Sequence, residues 1–84
     1  MSEPDIKELC SEYNEDMIFA TGFDDAIVGV IRRVGDPVVA CYDVSKMIEI
    51  LKKDMTEEEA SDYLEFNTIG AYYGRNSPVY LEKI

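Results

Sequence analysis

Three short apolar runs broken by turn residues precede two amphipathic stripes, and that order constrains the fold more than any other feature. Met17-Ile18-Phe19-Ala20 closes on Gly22. Ala26-Ile27-Val28-Gly29-Val30-Ile31 and Val38-Val39-Ala40-Cys41-Tyr42 are rich in β-branched residues and flank the turn chemistry of Val34-Gly35-Asp36-Pro37. These runs predict strands over about 17–21, 26–32 and 38–42, joined as an antiparallel meander. Gly29, inside a strand pattern, marks a bulge or a close backbone approach. Pro78-Val79-Tyr80-Leu81-Glu82 predicts a last strand over 78–82, and Pro78 places it at an edge.

Helical spacing accounts for the rest. Ile6, Leu9, Cys10 and Tyr13 form one stripe, so a helix is expected over about 4–13, with Pro4 in its first turn and Asn14 as its stop. Val44, Met47, Ile48 and Leu51 give a second helix over 44–53, which Asp43 can cap. Thr56-Glu57-Glu58-Glu59 has the spacing of a capping box and opens a third helix over 57–67, with Ala60, Tyr63, Leu64 and Asn67 facing inward. Residues 69–77 fit a loop, a strand or a further helical turn. The expected architecture is a single α+β domain spanning 1–84. An antiparallel sheet of three to five strands carries an N-terminal helix and two consecutive helices on one face.

Composition narrows the chemistry. The chain has 84 residues, 46% of them hydrophobic, and no run long enough to span a membrane. The acidic start, Met1-Ser2-Glu3-Pro4-Asp5, lacks a secretory pattern, so a cytoplasmic location is expected. There is no histidine, which removes histidine-based catalysis and metal binding. Cys10 and Cys41 stand far apart in apolar patterns and read as reduced, structural thiols. The formal charge of −10 disfavours contact with a nucleic-acid backbone. It suits a basic protein partner or a cation, or serves solubility alone.

The expected topology brings four polar residues to one end of the domain. Asp24 and Asp25 lie in the loop between the first two strands, Asp43 follows the third, and Asn67 arrives on the returning helix. Tyr72 and Tyr73 follow in a glycine-bounded stretch and could wall a site there. Such a set could hydrogen-bond a polar ligand or partner, or hold a hard cation through oxygen ligands. Equally, Asp24 or Asp25 could close a turn, Asp43 cap a helix, and Asn67 fasten the loop at Gly22. Paired-carboxylate chemistry through Asp24, Asp25 and Asp43 lacks an evident cleft. No cofactor motif is present.

Gly22-Phe23-Asp24-Asp25-Ala26-Ile27-Val28-Gly29, Tyr42-Asp43, Met55-Thr56-Glu57-Glu58-Glu59-Ala60, Glu65-Phe66-Asn67, Gly70-Ala71-Tyr72-Tyr73-Gly74 and Pro78 occur in that order. Together they resemble a family of small uncharacterised proteins typical of tailed phages and related prokaryotic sources, over about residues 17–82. The resemblance implies a phage or mobile-element setting, hence the host cytoplasm. Small acidic proteins in that setting bind host machinery or sequester a small molecule. The leading expectation is therefore a non-catalytic interaction protein acting on a host or phage protein, with self-association through the edge strand as a further expectation. One alternative is a binder of a small polar or nucleotide-like ligand at the Asp24/Asp25/Asp43/Asn67 end. Another is an acidic mimic of DNA charge.

Overall fold

A computed structural model describes residues 5–70 and 74–84. Asp5 caps helix α1 (Ile6–Ser11), its carboxylate accepting from the Lys7 N–H at 3.1 Å. Strand β1 (Ile27–Ile31) pairs antiparallel with β2 (Val39–Asp43). Two helices follow, α2 (Val44–Leu51) and α3 (Glu57–Leu64). The chain then makes a π-helical turn, Glu65–Ile69, and ends in strand β3 (Val79–Leu81). The protein is a single small α+β domain with a three-stranded sheet in the order β1-β2-β3.

The sheet is mixed. β3 lies at the edge, as Pro78 predicts, but runs parallel to β2, pairing Cys41 with Val79 and Asp43 with Leu81. Two helices intervene between β2 and β3, and a helical crossover is what parallel pairing requires. Residues 17–20 form no strand, contrary to the expected meander. The Ile18 N–H donates to the Asn76 carbonyl at 3.0 Å, and the Ala20 N–H donates to the Tyr42 hydroxyl at 2.8 Å. Those donors are spent on scattered partners, so no ladder can form. A left-handed Gly22 (φ 89°) and a 3-10 turn, Asp24–Ala26, replace the expected hairpin.

β2 is buried along its whole length. Ala40 and Tyr42 point into a core shared with Cys10 of α1, Met47 of α2 and Leu64 of α3, and with Met17, Phe23 and Ile27. Val39 and Cys41 alternate to the other face. The pairing register slips between Ile27 and Gly29, a bulge where glycine breaks the strand pattern. Both cysteines are free and buried. Among the described residues no helix is long and apolar enough to cross a membrane.

Side-chain clamps fix the irregular segments. The Asn14 amide donates to the Val38 carbonyl at 2.9 Å and to Asn76 Oδ1 at 2.8 Å, joining three distant stretches. Arg75 donates to the Gly35 carbonyl at 2.7 Å and pairs with Asp36 at 3.1 Å. α3 opens on the expected capping box, Thr56 and Glu59 each accepting from the other's N–H at 3.2 Å. The helix ends at Leu64, earlier than expected, because the backbone widens into the π-helical turn.

Candidate functional site

The carboxylates expected to converge share one end of the sheet but face different partners. Asp24 and Asp25 occupy the 3-10 turn just before β1, whose Ile27 pairs with Tyr42, and Asp43 is the next residue on β2. Asp24 Oδ1 lies 3.2 Å from Lys7 Nζ, an ion pair rather than an aligned hydrogen bond. Asp25 is exposed. Asp43 is 1% exposed, caps α2 by accepting from the Ser45 N–H at 2.9 Å, and pairs with Lys83 at 3.2 Å. Among the described residues no three Asp, Glu, Cys or His side chains are arranged to hold a metal ion. Asn67 is exposed and donates to the Tyr63 carbonyl at 3.2 Å, within its own helix, so it does not fasten the Gly22 loop. Tyr72 and Tyr73 lie outside the described residues.

Asn67 instead borders an aromatic cleft of about 470 Å³. One wall is the extended segment Ile18-Phe19-Ala20-Thr21 with Phe23; the other comes from Tyr63, Asn67 and Thr68; Pro78 and Tyr80 complete the lining. Each wall has an identifiable support. Tyr42 receives the Ala20 N–H and stacks on Tyr80, with ring centroids 6.1 Å apart. The Tyr80 hydroxyl donates to the Thr68 carbonyl at 3.4 Å. Lys7 lies 5.6 Å over the Phe19 ring while holding Asp24, so the ion pair braces a cleft wall. Asp24 therefore contributes to the cleft through Lys7 rather than by lining it.

The titratable groups near the core are held in their neutral or paired forms. Burial pushes the Tyr42 phenol up to about 12, outweighing the Ala20 hydrogen bond that favours its ionised form. Burial raises the Cys10 thiol, and burial with the nearby Asp43 charge raises that of Cys41. Neither thiol is activated as a nucleophile. Burial would raise the Asp43 carboxyl too, but the Lys83 hydrogen bond and charge and the Ser45 N–H hold it below the usual aspartate range.

A larger cavity of about 640 Å³ lies beside β3 and is bordered by Arg33, Asp36 and Arg75. Asp36 engages both arginines, at 3.5 and 3.1 Å, so their charge is already answered. The aromatic cleft is the better candidate: apolar walls with a few polar groups at the rim are the usual build of a binding pocket.

Sequence reasoning placed Tyr63 and Asn67 on the inward face of α3; the structure leaves both at its margin, with Ala60 and Leu64 buried. It missed Phe19, Phe23 and Tyr80 as walls. The available signal was the pair of phenylalanines, Phe19 and Phe23, on either side of the turn residue Gly22, and both rings line the cleft. Comparison of the chain with known protein families, with curated proteins and with solved structures finds no match.

Proposed function

We propose that this chain is a non-catalytic binding protein acting on a partner protein, and that the cleft between Phe19, Tyr63 and Tyr80 seats an aromatic or aliphatic side chain of that partner. The cleft itself carries the reading. It is within the size range of binding pockets, and rigid aromatic walls gain contact area at small entropic cost. The absence of histidine and the two raised thiols leave a weak basis for catalysis and support the same reading. A phage-encoded protein acting in the host cytoplasm is the setting that the sequence resemblance favours.

An NMR titration with N-acetyl-tryptophanamide, a neutral stand-in for a buried aromatic side chain, tests the proposal. Millimolar binding should shift resonances of Phe19, Phe23, Tyr63 and Tyr80, and Phe19→Ala should weaken it. Resonances that stay unmoved up to the solubility limit of the probe would remove the cleft as a seat.

The same cleft favours one second reading, a small planar ligand with its polar edge toward Asn67 and Thr68. Native mass spectrometry of gently purified protein distinguishes the two. A retained mass excess lost in Asn67→Ala supports the small ligand, and a bare chain supports the protein partner.

A further inference from the structure

Resting on the cleft reading, we propose that the partner segment is basic, with Lys or Arg flanking its apolar anchor, and that α3 with its π-helical turn is the surface receiving those cations. From Asp54 to Ile69 the chain carries six carboxylates and no Lys or Arg. Among the described residues every ion pair falls elsewhere, so Glu57, Glu58, Glu59, Asp62 and Glu65 meet no cation of their own chain. The first three have a structural reason, since they stand in the first turn where the helix dipole favours acids. Asp62 and Glu65 do not. They lie toward the other end, where the same dipole disfavours negative charge.

An apolar observation independent of the charge marks the same surface. Phe66 is 79% exposed and Tyr63 43%. A shallow, open depression of about 370 Å³ lies beside them, lined by Met55, Glu59, Asp62, Tyr63, Phe66 and Asn67. Tyr63 and Asn67 line this depression and the cleft alike, so the two form one continuous surface. The π-helical turn that carries Phe66 is a rare backbone feature, common at functional positions. An aromatic surface rimmed by uncompensated carboxylates matches a segment pairing an apolar anchor with positive charge.

Three short blocked peptides test this: a central Trp between Lys pairs, the same Trp between Glu pairs, and the Lys peptide with Ala for Trp. The Lys–Trp peptide should bind at least about tenfold more tightly than either control, and its advantage should shrink as salt rises. Phe66→Ala, and Asp62→Asn with Glu65→Gln, should each erase that advantage, whereas Glu12→Gln, at the end of α1 and outside the lining of both the cleft and the depression, should not. All these side chains are exposed, so the variants keep the fold. Equal affinity for the Lys–Trp and Glu–Trp peptides, or shifts mapping to α1 instead of α3, would overturn the inference while leaving the cleft as a seat for neutral anchors. Loss of the N-acetyl-tryptophanamide signal as well would remove the underlying reading too.

Discussion

Asp43 and Lys83 meet at 3.2 Å, and this contact ties the end of the chain to the centre of the sheet. Asp43 does two jobs from a nearly inaccessible position: it caps α2 and neutralises Lys83. Lys83 is largely exposed, but removing it leaves the buried Asp43 carboxylate without its counter-charge. Lys83→Met should therefore lower the urea midpoint. Asp43→Ala, which also removes the cap, should lower it further, and Asp43→Asn should fall between wild type and Asp43→Ala, because asparagine still caps.

The same carboxylate sets an acid dependence. Its folded-state pKa is depressed, so its contribution is complete above the unfolded value, about 3.9, and is lost as pH falls through the lower folded value. Urea midpoints measured from neutral pH downward should decline more gently for Asp43→Asn than for wild type over that acid window. Parallel declines would show that other carboxylates dominate.

Tyr42→Phe isolates the hydroxyl that receives the Ala20 N–H. The ring keeps its packing in the core, and the lost hydrogen bond should cost about 1 kcal/mol. Because Ala20 belongs to a cleft wall, the more specific result is faster hydrogen exchange at the Ala20 amide with little change at Cys41 in the sheet. Uniform acceleration across both would place the effect on global stability.

Gly70 ends the π-helical turn with its N–H donating to the Glu65 carbonyl at 3.0 Å. A Cβ there would sit 2.5 Å from that same oxygen. Gly70→Ala should therefore destabilise by roughly 1–3 kcal/mol through forced backbone shifts, and should disturb the Phe66 surface. A thermal unfolding curve matching wild type would mean the turn relaxes freely.

Thr56→Ala removes one half of the capping box and should cost about 1 kcal/mol. Phe66→Ala, three turns along, should leave the melting temperature unchanged, since the ring is mostly in water. If Phe66→Ala proves the more damaging of the two, the ring packs in solution and the binding role assigned to it fails.

The residues legible in the sequence were those whose partners stand within one turn of chain. The Asp43 cap and the Thr56–Glu59 box follow from short spacings that satisfy helix-end donors locally. The bulge beside Gly29 and the edge position after Pro78 follow from what single residues can do to a ladder. These local signals determined the α+β class, the two antiparallel strands and the starts of α2 and α3, whereas α1 begins at Ile6, inside the expected span from residue 4.

Tertiary structure decided everything that depends on partners far along the chain. Residues 17–20 have a strand's composition, yet their donors go to the Asn76 carbonyl and the Tyr42 hydroxyl. β3 pairs parallel because the intervening helices return it in that direction. The carboxylates that one end of the sheet assembles are separated by Lys7 and Lys83, each drawing one away, and the cleft arises from rings contributed by three separate segments. Hydrogen bonds and ion pairs between distant residues leave no periodicity or short spacing to read. Hydrophobic pattern sets which faces are buried, but the packed chain alone selects which polar group each buried donor meets.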